Sequence, residues 1–205
     1  MKIAMISGAS RGIGRAAAKA FAKEGYSLLL NCEKNIDLLE ELKVEIEEEL
    51  QRLKISKEKD GSENNFAQSL DITLKKGDFA SPFLESYFRA KEAEQAEIEE
   101  LVLVINQGKS TLNLTQDYSP EETDSLIQAN LLEPFHLAQR MIPYLLRAKT
   151  GRVFFSSSVW GNVGASMESL YSLTKGGINS FVKALGKELA PSHIAVNAVA
   201  FGAVD

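Results

Sequence analysis

Tyr171 and Lys175 stand four residues apart in the segment Tyr-Ser-Leu-Thr-Lys. Ser158 precedes Tyr171 by 13 residues and closes a Ser156-Ser157-Ser158 run. In a helix, a spacing of four places both side chains on one face. A phenol with a pKa of about 10 is a poor acid or base at neutral pH. A neighbouring ammonium favours the phenolate and lowers that value, and an oxidised nicotinamide would add to the effect. So tuned, the phenol can give a proton to a carbonyl oxygen while hydride arrives at the carbon. Ser158 can hold the same oxygen by a hydrogen bond. Taken singly these signals are weak. A Tyr/Lys pair at this spacing is most often ordinary helix surface, and serines at a strand end are usually turn residues. They gain meaning only jointly with what precedes them.

What precedes them is a glycine turn, Gly8-Ala9-Ser10-Arg11-Gly12-Ile13-Gly14, directly after an apolar strand and directly before a helix. Glycine lacks Cβ and tolerates positive φ, so the chain can turn sharply and let a ligand touch its backbone. The helix N-terminus then offers free N–H groups and a positive dipole to a pyrophosphate. The spacing is not a Walker A loop, which needs Gly-Lys-Ser/Thr. A tight turn without a ligand is the plain alternative, and the position after the first strand argues against it. A site that prefers NAD carries an acid about 20 residues further on, at the end of the second strand. Asn31 and Cys32 stand there instead. Arg11 in the loop can reach toward a 2′-phosphate, as can Lys34, with Glu33 as a mild counter-argument. NADP(H) is therefore the expected cofactor, and NAD(H) the alternative.

These residues sit in 205, of which 44% are apolar and 25% charged, the make-up of an ordinary globular domain. A chain this size buries enough surface to fold without a metal or disulfide staple. One cysteine excludes an internal disulfide framework and a multi-cysteine zinc site, and two histidines leave little for a His-rich metal centre. A net charge of −5 gives no bulk attraction to nucleic acid or anionic membrane. No apolar run approaches a membrane span, and no signal peptide is evident, so the expected compartment is the cytoplasm.

The pattern along the chain is alternation. Lys2–Ser7, Tyr26–Asn31, Leu101–Asn106, Arg152–Ser157 and His193–Ala198 read as buried strands, with a weaker one at Phe66–Leu70. Helical patterns cover about 12–24, 36–54, 81–99, 121–147 and 167–190. Pro134 predicts a kink in the fourth. Continuous apolar strands mean burial on both faces, the mark of a parallel sheet covered by helices. The expected fold is α/β, a doubly wound parallel sheet (Rossmann fold) in one domain over 1–205. Leu39, Leu42, Ile46, Leu50 and Leu53 repeat at helical spacing among Glu and Lys. An amphipathic helix with a solvated face explains them more simply than a partner-binding arm. Lys57–Asn65 reads as a loop. Cys32 reads as a small packing residue rather than a nucleophile, His136 as core or interface, and His193 as exposed.

On these motifs together the chain resembles the short-chain dehydrogenases/reductases with a Gly-x-x-x-Gly-Ile-Gly turn. The matching residues are Gly8–Gly14, Asp71, Asn106 with Gly108, Asn130, Ser158, Tyr171 with Lys175, and Asn197 to Gly202. The resemblance implies strand order 3-2-1-4-5-6-7, Tyr171 as proton donor and Ser158 as carbonyl positioner. It implies that Lys175 bonds the nicotinamide ribose and depresses the Tyr171 pKa, and that Asn130 holds a water of a proton relay. Asp71, followed by Ile72, would contact the adenine. Asn106 and Gly108 would line the adenosine ribose pocket. The implied cofactor contacts are completed by Gly8, Ser10, Arg11, Gly12, Ile13, Gly14, Asn31, Cys32 and Gly202. A small-molecule or carrier-bound carbonyl substrate and a homodimer or homotetramer, paired through about 121–147 and 167–190, are implied as well.

Within the family, Ser158–Asp205 resembles the 3-oxoacyl-[acyl-carrier-protein] reductases. Val159-Trp160-Gly161-Asn162-Val163-Gly164-Ala165-Ser166 and Asn106-Gln107-Gly108-Lys109-Ser110 resemble a bacterial offshoot, the elongation factor P 5-aminopentanone reductases. Trp160 would stand at the substrate wall, or else in the core or an interface. Three departures are evident. Asn-Asn-Ala-Gly of the family is Ile105-Asn106-Gln107-Gly108, and Pro-Gly beside the nicotinamide is Phe201-Gly202. The family's substrate-covering loop and helix and its seventh strand would follow Asp205, so strand six is expected to have an open edge. A dinucleotide-binding protein without turnover is the competing reading. A thermal-shift titration separates the cofactor expectations. At about 100 times the dissociation constant a ligand adds about 2.7 kcal/mol of stability. A clear shift with NADPH and little with NADH is expected, and equal shifts would remove the role given to Arg11.

Overall fold

The computed structural model describes residues 1–59, 70–79 and 81–203. Six strands are found among them: β1 Lys2–Ser7, β2 Ser27–Cys32, β3 Ile72–Lys76, β4 Glu100–Ile105, β5 Thr150–Ser158 and β6 Ala195–Phe201. They form one parallel sheet in the order β3-β2-β1-β4-β5-β6, flanked by helices. The helices are α1 Gly12–Lys23, α2 Ile36–Lys59, α3 Ser81–Ala93, α4 Pro120–Ile127, α5 Glu133–Leu145, α6 Trp160–Val163 and α7 Ser169–Leu189. The chain divides into two compact units, Met1–Leu101 and Val102–Asp205.

In the first unit β1 and β2 carry continuous apolar runs, 3–6 and 28–30, that are fully buried, as strands covered on both faces must be. Ile3 pairs with Ser27 and Ile6 with Leu30. Leu39, Leu42 and Ile46 of α2 are buried, so the stripe read from their spacing faces inward. Arg15, Lys19 and Lys23 recur every fourth residue of α1 and meet α2 through Arg15–Glu45 and Lys19–Glu45 at 2.6 Å and Lys23–Glu49 at 2.7 Å. These are partly exposed pairs and stabilise little, whereas the buried apolar stripe supplies most of the packing energy.

The third strand lies further along than expected. Residues 66–69 of the predicted Phe66–Leu70 and 60–65 of the predicted loop fall outside the described residues, while 57–59 belong to α2. The strand that pairs with β2 is Ile72–Lys76, in register Leu28↔Ile72 to Cys32↔Lys76. An edge strand is half covered, so its side chains alternate in polarity and the continuous apolar run that marks the others is missing. The predicted helix at 81–99 ends at Ala93, where Gln95 takes φ 52.

In the second unit the predicted helix at 121–147 is broken. A capping box, in which Ser119 and Glu122 bond each other's backbone N–H, and Pro120 start α4. A π-helical turn, Gln128–Leu132, then leads into α5. Pro134 has no N–H to give to the carbonyl of Asn130 four residues back, so the regular ladder cannot run through this point. β6 begins at Ala195 rather than His193, because a 3-10 turn over Ala190–Ser192 puts His193 at φ 58. His136 and His193 are both exposed. No helix among the described residues is long and apolar enough to cross a membrane. Leu29, central in β2 and fully buried, tests the first core. Leu29→Ala should cost about 2–5 kcal/mol of unfolding free energy in urea titration.

Candidate active site

In the first unit β1 runs into the glycine turn. Gly8 has φ 63 and Gly12 φ 51, in the left-handed region where only glycine is unstrained. α1 then opens with Arg11 as its N-cap, with no side-chain cap and no acid in the first turn. Its first N–H groups and dipole are thus left to an anion, and the turn fits a pyrophosphate. Arg11 is exposed beside it.

Asn31 and Cys32, expected to touch a cofactor, are buried at 8% and 2% exposure. The Asn31 side-chain oxygen accepts from the Gly8 N–H at 3.4 Å, and its Nδ2 donates to the Gly77 carbonyl. The Ala9 N–H donates to the Asn31 carbonyl, and the Gly77 N–H to that of Cys32, both at 2.9 Å. Asn31 therefore holds the turns after β1 and β3 together, and neither residue offers its side chain to a ligand. Burial pushes the Cys32 thiol up, against nucleophilic use. The exposed residues at this edge are Glu33, Lys34 and Asn35.

Asp71 and Ile72 also lie away from the expected adenine site. They stand at the start of β3, level with Ser27 and Leu28, whereas Asn31 and Cys32 pair with Lys75 and Lys76 at the other end. Ligands of open α/β sheets bind outside the carboxyl ends of the strands. Asp71 lies at the opposite end, in an ion pair with Lys91 at 2.9 Å. The exposed acid that follows β3 is Asp78. Its signal in the sequence was the glycine before it, Gly77, at φ 81.

In the second unit β5 delivers the serine run to the amino-terminal half of α7. The Ser158 hydroxyl lies close enough to the Tyr171 hydroxyl to act on it and draw its pKa down. Ser158 Oγ also accepts from the Trp160 N–H at 3.2 Å. Lys175 is 5% exposed, donates to the Ser156 carbonyl at 2.8 Å, and stands 5.7 Å from the centre of the Tyr171 ring. Ser156 Oγ donates to Asn106 Oδ1 at 2.7 Å. Gly108 lies where Lys175 and Asn130 come together. A Cβ there would be 3.4 Å from Asn130 Oδ1 and 3.5 Å from Lys175 Nζ. Asn130, buried in the π-helical turn, donates to the Lys109 carbonyl at 2.7 Å and accepts from its N–H at 2.8 Å. Its amide is thus taken up by the Lys109 backbone, with Thr174 Oγ1 at 3.4 Å as a further acceptor.

The residue types alone gave no sign of two further features. Gly161 packs on the backbone of α7, where a Cβ would come within 2.7 Å of the Lys175 carbonyl carbon. Glu168 accepts from Ser110 Oγ at 3.1 Å and lies close enough to act on Tyr171. Phe201 pairs with Ser158 in the β5–β6 register, and its carbonyl accepts from the Val159 N–H at 2.9 Å. Gly202 follows it, exposed, with open space around its Cα. Trp160 opens α6 and is partly exposed, so it is not a core residue.

The electrostatics differ from expectation. The Tyr171 phenol is pushed up, first by burial and then by Glu168, against the pull of the Ser158 hydroxyl. Burial also acts on Lys175, whose amine sits on the Ser156 carbonyl and whose pKa falls to about 8.

The model of the short chain dehydrogenase family matches residues 2–205. The chain belongs to the short-chain dehydrogenase family. It is 36% identical over 204 residues to the uncharacterized oxidoreductase YmfI of Bacillus subtilis (strain 168), covering all of this chain and 75% of that protein. It is 32% identical to the 3-oxoacyl-[acyl-carrier-protein] reductase FabG of Staphylococcus epidermidis, over 98% of this chain and 74% of that one. The crystal structure of a metagenomic short-chain oxidoreductase in complex with NADP shares the fold, with a TM-score of 0.77 at 24% identity, over 99% of this chain and 82% of that one.

The buried amine of this family member gives a pH test. Between pH about 8 and the ordinary lysine value of 10.5 the unfolded chain holds a proton on Lys175 that the folded chain has lost. Stability from this group therefore rises with pH through that window and is flat below it. Urea unfolding at about pH 7.5 and about pH 9.5 should show the parent gaining on Lys175→Met at the higher pH. Equal gains in both proteins would contradict a depressed Lys175.

Proposed function

We propose that this chain is an NADPH-dependent reductase that turns a carbonyl into an alcohol. The observation that carries the reading is the Ser158–Tyr171 hydroxyl pair, one helical turn from a buried Lys175. A nicotinamide held at this site would supply hydride to the carbonyl carbon. Ser158 holds the carbonyl oxygen, and Tyr171 gives its proton to that oxygen as negative charge develops there. A phenol held above its usual value stays protonated at neutral pH, and the alkoxide developing on the carbonyl oxygen is the stronger base that draws its proton. Lys175, with a pKa of about 8, can pass a proton toward Tyr171 from solvent by way of Asn130.

For the cofactor, the turn Gly8–Gly14 with Ser10 and Ile13 receives the pyrophosphate, and Arg11 and Lys34 favour a 2′-phosphate. Asp78 takes the adenine contact first given to Asp71. Asn106 and Gly108 would line the adenosine ribose pocket, Tyr171 and Lys175 would bond the nicotinamide ribose, and Gly202 would lie beside the ring.

A 3-oxoacyl thioester is the favoured substrate, on the strength of the FabG relatives. Glu168 beside Tyr171 supports a second reading, a carbonyl that carries an amine, such as a 5-aminopentanone group on elongation factor P. A cytoplasmic homodimer or homotetramer is proposed as well. Exposed Phe135 of α5 and Leu173 of α7, with Leu132 just ahead of α5, support pairing through these helices.

The decisive variant is Tyr171→Phe, assayed for NADPH oxidation with an acyl thioester and with an aminoketone. Turnover should fall by at least about a hundredfold with whichever substrate the parent accepts, a range general acids supply. The NADPH dissociation constant should stay nearly the same. Unchanged turnover would remove Tyr171 as donor. NADPH binding without turnover in the parent would favour the non-catalytic reading.

A further inference from the structure

Along α7, Tyr171, Lys175 and Asn179 recur every fourth residue and so form one stripe. Each meets a different member of the serine run. Tyr171 stands by the Ser158 hydroxyl, Lys175 Nζ donates to the Ser156 carbonyl at 2.8 Å, and Ser157 Oγ donates to Asn179 Oδ1 at 2.6 Å. The third contact is the one that the reaction does not use. Ser157 is 3% exposed, so its hydroxyl would be costly to leave unpaired. Asn179 reaches further. Its Nδ2 donates to Asn162 Oδ1 on α6 at 2.9 Å. α6 starts two residues after Ser158, and Gly161 presses its backbone onto that of α7 at Lys175. One amide thus grips the chain just before Ser158 and again four residues after it, accepting on one side and donating on the other.

We propose that Asn179 is a positioning residue that fixes the Ser158 hydroxyl against that of Tyr171 by holding Ser157 and Asn162 to α7. The proposal rests on reading Ser158 and Tyr171 as the carbonyl-binding and proton-donating pair. Loss of the grip misplaces Ser158 and slows the proton transfer, while the residues proposed to hold the dinucleotide keep their places.

The test uses Asn179→Ala, Ser157→Ala and the double variant of the full chain. Each single change should lower kcat about tenfold, since small misplacements of reacting groups are costly, with KM and the NADPH dissociation constant within about twofold of the parent. The double variant should be no worse than Asn179→Ala, because both changes break the same hydrogen bond. A second readout needs no substrate. In protein labelled with 13Cζ-tyrosine, the Tyr171 resonance, assigned by its loss in Tyr171→Phe, should move in both single variants as the Ser158 hydroxyl beside it shifts. An unmoved resonance, an unchanged kcat, additive losses, or a parallel loss of NADPH affinity would each overturn the proposal. If the parent reduces no carbonyl, the functional reading fails, and the resonance still decides whether Asn179 governs the hydroxyl pair.

Discussion

The second unit is arranged around a lysine that has left water. Lys175 is buried and holds the Ser156 carbonyl at 2.8 Å, and burial brings its pKa down to about 8. A charged amine in such a place is costly unless it is bonded, so its surroundings are strictly determined. Room for it comes from missing side chains. Gly161 lets α6 lie directly on the Lys175 backbone, and Gly108 leaves space at its amine. The π-helical turn, forced where Pro134 cannot continue the ladder, brings Asn130 to the backbone of Lys109, next to that same glycine. Tyr171 and Ser158 then take positions that follow from the lysine and from the strand end it holds.

The first unit depends on a different buried polar group. Asn31 has no charge and performs no chemistry, yet it bonds the backbone at Gly8 and at Gly77. Two turns after two strands are thereby set by one amide. The glycine turn can therefore present an uncapped helix start without collapsing onto it. Ion pairs between α1 and α2 decorate this unit, while Leu39, Leu42 and Ile46 anchor it.

Much of this was legible in the chain. Buried parallel strands announce themselves by continuous apolar runs, and five of six were recognisable to within a few residues. Gly8 to Gly14, Ser158, Tyr171 and Lys175 were legible because their types and spacing carry a local meaning. β3 was not. An edge strand half open to solvent lacks the apolar run, and a shift of a few residues along it moved the acid from one end of the sheet to the other. Asp71 pairs with Lys91 at the end away from Cys32, and Asp78 follows the strand at the near end.

The types of the candidate site residues, the strand–glycine turn–helix opening and the family itself were determined by sequence, since each depends on residues close together in the chain. Register, burial and the partner of each polar group were decided only by tertiary structure. Asn31 looked like a ligand contact until it was found inside. Tyr171 was expected to be lowered by Lys175, but the balance of burial, Glu168 and Ser158 raises it. Asn179 had no visible role until β5 and α6 were brought against it. Free energies of buried polar groups depend on what lies within a few ångströms in space, and separation along the chain does not encode that distance.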